Sequence, residues 1–169
     1  MPHRATLLLR TFATHDVQRF VFSRPDGFSF SPGQATELAL DRDGWREEGR
    51  PFTMTSPPEA PVLEFTIKAY PAHDGVTTRL HGLEPGEDVL LDDPFDTYAY
   101  GGPGVFLAGG AGITPFLAIL RDLVRRGEID QQHLIFSNKT PRDIICEKEL
   151  RHLLGDRLTL TCTDASGPG

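Results

Sequence analysis

The stretch GVFLAGGAGITPFLAILRDLVRRG, residues 104–127, decides how this chain folds. It opens as a short apolar run, breaks at GGAG, and resumes with Phe116, Leu117, Leu120, Leu123 and Val124 at helical spacing. That is strand, glycine turn, helix. Thr114 has the chemistry of an N-cap, Pro115 suits the first helical position, and Gly127 follows the last turn. Downstream, HLIFSN reads as a strand, EKELRHLLG as a second helix and RLTLTC as another strand. This alternation predicts a parallel sheet with right-handed crossovers. Three strands and two helices leave that sheet open on one side. The sequence is then a fragment, or another chain completes the sheet.

Upstream the pattern is different. ATLLLRTFA, DVQRFVFSR, QATELALD and VLEFTIKAY are short, partly alternating and rich in β-branched or aromatic residues. PDG, SPG, RDG and SPPEAP punctuate them, and LEPGEDVLLDD reads as a turn into a further strand. The pattern predicts an antiparallel barrel or sandwich. HDGVTTRLHG predicts one short helix, with Asp74 capping its start and Gly82 closing its end. The expected division is a β domain over 1–100 and an α/β domain over 101–169, joined near YAYGGPG.

Composition narrows the function. Of 169 residues, 38% are hydrophobic and 24% charged, as in a globular domain, and no apolar run is long enough to span a membrane. The N-terminus lacks the small-residue cleavage site of a signal peptide, so a cytoplasmic protein is expected. Net charge of −7 argues against a nucleic-acid partner. Cys146 and Cys162 are too few for a four-cysteine iron–sulfur site and are expected to be buried small hydrophobes. Arg121, Arg125 and Arg126 read as a solvated helix face, or as a docking patch for an acidic carrier.

Two turns could bind anions. GGAGITP, residues 109–115, puts glycines where a helix begins, and exposed backbone N–H groups there suit phosphate. It is neither a P-loop nor the usual dinucleotide fingerprint, since Pro115 stands where the third glycine would. A tight strand–helix joint would ask for the same glycines. HDGVTTR offers a second helix start, with two hydroxyls. Arg50, in GRPFTMTSPP, could hold a pyrophosphate from the other side, while Phe52 offers a flat face and Thr53 a hydroxyl. That set suits a flavin dinucleotide.

The order of these motifs resembles the ferredoxin–NADP reductase family. RPFT is similar to its Arg-x-aromatic-Ser/Thr flavin motif, GVTT to its pyrophosphate motif, GGAGITP to its nicotinamide-dinucleotide loop, and FSNKTPRDIICEKEL to the segment passing the adenosine ribose. The resemblance implies an antiparallel six-stranded flavin-binding β-barrel followed by a partial parallel α/β nucleotide-binding domain. It implies that Arg50, Pro51, Gly75, Val76, Thr77 and Thr78 hold the FAD pyrophosphate region. Phe52 would lie on the isoalloxazine, and Thr53 would donate toward its N5. Ile67 and Lys68 would supply backbone contacts to the flavin. Gly110, Gly112, Ile113 and Thr114 would line the nucleotide cleft, with Ser137, Lys139 and Arg142 on the adenosine side. Cations there would favour NADPH over NADH. Two departures stand out: Asp93 and Asp96 replace glycines in DDPFDTY, and the family's Cys-Gly-Pro motif is missing.

The implied activity is hydride transfer from NAD(P)H to FAD, then electron transfer to ferredoxin, flavodoxin or a small-molecule acceptor. No acid–base pair is required. The alternative is a non-catalytic flavin-binding or regulatory module, or the N-terminal piece of a larger reductase. A third reading has no flavin: a sandwich fused to a small interaction domain.

Overall fold

The computed structural model describes residues 2–70 and 75–164. Its first unit contains β1 (His3–Phe12), β2 (Val17–Ser23), β3 (Ala35–Leu40), β4 (Arg50–Thr53), β5 (Val62–Lys68) and β6 (Asp88–Leu91). All pairings are antiparallel, in the order β4-β3-β6-β1-β2-β5. The two ends of that order meet: Met54 bridges Phe65, and Thr55 N–H donates to the Glu64 carbonyl at 2.7 Å. The sheet thus nearly closes into a barrel, which leaves little exposed edge.

Period-2 alternation drives this closure. Along β5, Leu63, Phe65 and Ile67 point inward and join Phe20, Phe22, Leu38 and Leu91 in the core. Burying each such side chain stabilises the fold by about 1.5–3 kcal/mol. Glu64, Thr66 and Lys68 alternate with them on the other side of the strand, where Glu64 and Thr66 are buried as well and Lys68 is half-buried. The short helix α1 (Val76–Leu80) inserts Val76 and Leu80 into the same core. Its N-cap is Gly75. Asp74, expected to cap it, lies outside the described residues.

The second unit is β7 (Gly104–Gly109), α2 (Thr114–Arg126), β8 (Gln132–Asn138), α3 (Glu147–Leu154) and β9 (Leu158–Cys162). The strands are parallel in the order β7-β8-β9. Both helices cover one sheet face, where Phe116, Leu117, Leu120, Leu150 and Leu154 pack on Leu134 and Phe136. On the opposite face Val105, Leu107 and Ile135 are 57%, 69% and 40% exposed. The segment from Asp92 joins the units by passing over Gly33, whose carbonyl accepts from Thr97 Oγ1 and Tyr98 N–H. Gly33 has φ +94°, and a Cβ there would sit 2.3 Å from the Tyr98 carbonyl oxygen, so only glycine fits.

Four sequence expectations need correction. Thr114 is not an N-cap: a 3-10 turn (Gly110–Ile113) precedes the helix, Thr114 is its first residue, and Thr114 Oγ1 donates to the Ala111 carbonyl at 3.2 Å. Val124 is 40% exposed, because the buried stripe runs instead through Ala118 and Ile119. Cys162 is exposed at the sheet's outer strand and Cys146 is half-buried; both are free. Arg121 does not belong to a solvated face, since its side chain is only 14% exposed. Arg125 and Arg126 do lie at the surface, in pairs with Glu59, Asp122 and Glu128.

Candidate functional site

The glycine turn sits at the carboxyl ends of β7 and β8, with Gly109 in register with Ser137. Ligands bind open α/β sheets at those strand ends. Gly110 has φ +50°, and a Cβ at Gly110 or Gly112 would meet nothing within 4 Å. The backbone over the turn is therefore open to a ligand. Ile113 is fully buried, so it anchors the turn from below rather than lining a cleft. Beside Ser137, a cleft of about 480 Å3 is lined by His15, Lys139, Thr140, Pro141, Arg142, Asp143 and Asp164. Thr140 and Asp143 cap one another, which shapes its floor. Lys139 and Arg142 are exposed there, outside the ion pairs found among the described residues.

On the barrel, RPFT forms β4 itself, at the rim where the sheet closes. Arg50 is 57% exposed, and among the described residues its Nη1 donates only to the local Gly49 and Glu48 carbonyls, at 2.6 and 3.5 Å. Its Nη2 stands 3.7 Å from Glu48 Oε2, so the guanidinium can still turn to a ligand. Phe52 is half-buried against the barrel core, and Thr53 is half-buried beside it. Pro51 is exposed. The register of the Met54–Phe65 bridge, continued outward, aligns Phe52 with Ile67. At α1, a Cβ on Gly75 would meet nothing within 4 Å, and no acidic residue stands in the first turn. Val76 is buried, Thr77 is half-buried, and Thr78 Oγ1 donates to the Tyr70 carbonyl at 3.2 Å.

Lys68 and Ile67 have partners of their own. Lys68 Nζ pairs with Asp16 at 2.8 Å, which raises the ammonium pKa, while the pair outweighs burial and lowers that of Asp16. The Ile67 carbonyl faces His81 Nε2 at 2.9 Å. Burial pushes the His81 pKa below its usual 6.5, so this ring is neutral at pH 7 and donates. Its ring and that of Phe20 meet edge to face, with centroids 5.5 Å apart. Asp93 and Asp96 are engaged by His3 and Gln34 at 2.8 Å each.

Sequence reasoning missed Trp45, the chain's one tryptophan. It is partly buried against the barrel core ahead of Arg50, with the Arg79 guanidinium 5.3 Å above its ring. A lone tryptophan beside the RPFT motif was the available signal.

Residues 106–167 match the oxidoreductase NAD-binding domain family. The NADPH oxidoreductase of Mycobacterium tuberculosis is 35% identical over 163 residues, 87% of this chain and 42% of that protein. The reductase component of propane 2-monooxygenase from Rhodococcus jostii is 31% identical, over 76% of this chain and 35% of that protein. A ferredoxin NADP+ reductase from Neisseria gonorrhoeae, solved with bound FAD and NADP, superposes with a TM-score of 0.81 at 26% identity. That match covers 98% of this chain and 70% of the reductase.

Over nearly its whole length the chain is similar to reductases of the ferredoxin–NADP reductase-like family.

The family fold, a nearly closed six-stranded barrel followed by a parallel sheet with helices, is the one observed. The chain spans about half or less of the length of the first four curated relatives it matches.

Proposed function

We propose that this chain is the flavin- and nucleotide-binding core of an NAD(P)H-dependent reductase. In this reading Arg50 and the turn of Gly75, Val76, Thr77 and Thr78 hold the pyrophosphate of FAD. The donor set suits that group: a guanidinium, hydroxyls and a helix start with open space above it, and no carboxylate in its first turn. Phe52 and Thr53 orient the ring at the barrel rim. Bound FAD would supply the acceptor for a nicotinamide hydride and release the electrons singly. The protein's part is placement and exclusion of water.

The observation that carries the reading is the open glycine turn at the ends of β7 and β8, beside a cleft that holds Lys139 and Arg142. Gly110 and Gly112 would admit a dinucleotide phosphate to the backbone, with Thr114 at the first turn of the helix. Ser137, Lys139 and Arg142 would meet the adenosine end. Two cations there favour NADPH, whose 2′-phosphate they would neutralise. The acceptor would be a small redox protein, ferredoxin or flavodoxin, or a small molecule, in keeping with relatives named as reductase components of oxygenase systems. A cytoplasmic location is part of the same proposal; no helix among the described residues is long and apolar enough to cross a membrane.

The uncovered face of the parallel sheet favours a second reading, a flavin-binding or regulatory module that engages the nucleotide poorly. Anaerobic absorbance decides between them. The protein is loaded with FAD, then given NADPH or NADH. Bleaching of the bound flavin band, faster with NADPH, supports the reductase. A band that persists supports the module, and a colourless protein sinks both.

A further inference from the structure

The interface between the two units is built around one buried guanidinium. Arg121, on α2, sends Nε and Nη2 to Glu149 Oε1 and Oε2 on α3, at 2.6 and 2.9 Å. Its Nη1 donates to the Thr55 carbonyl at 2.6 Å and to Glu64 Oε1 on β5 at 2.7 Å. Thr55 Oγ1 donates to the same Glu64 oxygen at 2.8 Å, and Arg19 Nη2 pairs with the other at 2.7 Å. Burial alone would raise the Glu64 pKa, but Arg121, Thr55 and Arg19 outweigh it and bring it below the usual carboxylate value. Both partners are therefore charged at pH 7. A bidentate grip of this kind fixes angle as well as distance.

The positions it ties together matter. Thr55 lies two residues beyond Thr53, so holding its carbonyl holds the strand that carries Thr53 at the barrel rim. Arg121 lies seven residues beyond Thr114, which puts both on one side of α2, about 10 Å apart along its axis. Holding Arg121 therefore fixes the rotation of α2 about its axis and the direction in which the Gly110–Ile113 turn faces.

We propose that Arg121 is a positioning residue that sets the nucleotide turn against the flavin rim, an inference that rests on the reductase reading above. It touches neither cofactor. Its effect would appear in the distance between the reacting groups, where displacement of about 1 Å can cost a hundredfold in rate.

The test is Glu149→Ala in the FAD-loaded protein. It removes Arg121's bidentate partner, leaves the Glu64–Arg121 pair in place, and puts a good helix former on α3. Arg151→Ala, which breaks only the exposed Glu147–Arg151 pair on the same helix, is the control. Two readouts are taken. Amide hydrogen exchange over residues 110–121 should quicken by about tenfold while the barrel core is unchanged. Flavin reduction at saturating NADPH should slow by about tenfold, with FAD and NADPH affinities held within about twofold. Unchanged exchange overturns the proposal, and so does weaker NADPH binding with an unchanged saturated rate. If the wild-type flavin is not reduced at all, the reductase reading fails, and exchange alone still decides whether Arg121 fixes the turn.

Discussion

In the barrel, Phe20, Phe22, Leu63 and Phe65 are fully enclosed, whereas in the parallel sheet Val105 and Leu107 stand mostly exposed on a single strand. The barrel closes on itself, so each inward residue finds apolar neighbours from other strands of the same sheet. Among the described residues the parallel sheet has helices on one face only, and part of what it leans on belongs to the barrel: Val17 of β2 sits in its core cluster, and Glu64 of β5 receives Arg121. The barrel should therefore dominate stability, and the α/β unit should be sensitive at the seam and tolerant on its bare face.

The largest test of that contrast is Phe65→Ala. It opens a cavity inside the closed barrel and should cost about 3–5 kcal/mol in urea unfolding. A cost below about 1 kcal/mol would mean that the barrel is not the stable element.

Arg121→Met comes next. It removes the cation that Glu64 and Glu149 share, leaving Glu64 with Arg19 alone, and should cost about 3 kcal/mol, with part of the loss recovered by adding Glu64→Gln. Failure of the second change to restore anything would show that the seam is held by packing rather than charge.

A smaller effect is expected at His81. Its folded pKa lies below 6.5, so the folded state binds a proton less readily than the unfolded state. Stability from this site is complete above about pH 6.5 and is lost as pH falls through the depressed value. The melting temperature should therefore decline on acidification from about pH 7 toward 5, and the decline should flatten in His81→Gln. An identical slope in the variant would remove His81 as its source. The paired carboxylates, including Asp16, Asp143 and Glu64, titrate only at lower pH.

The smallest change is expected from Leu107→Ser on the bare sheet face, within about 0.5 kcal/mol. A loss of several kcal/mol would reveal that this face is covered in solution.

The same contrast explains what could be read in the sequence. Alternation in VLEFTIKAY and the strand–turn–helix pattern around GGAGITP are local signals, and both elements formed where they were expected. Thr114 misled because a 3-10 turn with the same residues shifts the helix start by one position. Arg121 misled because helical spacing places it beside surface arginines. Only the packing of α2 across the barrel, a contact between residues 57 positions apart, shows that it is buried. The Arg79–Trp45 contact and the His81–Ile67 bond were illegible for the same reason, since in neither do the partners lie close by in sequence.

The central claim is that Arg50 and the α1 turn form a diphosphate cradle on the barrel. The most direct measurement is titration of the protein with FAD and with FMN, repeated in Arg50→Ala. The account expects FAD to bind more tightly than FMN by at least about tenfold, with that preference lost in the variant because a charge-assisted contact worth about 1.5–3 kcal/mol is gone. Equal affinity for the two flavins in the wild type, or an unchanged preference in Arg50→Ala, would contradict it.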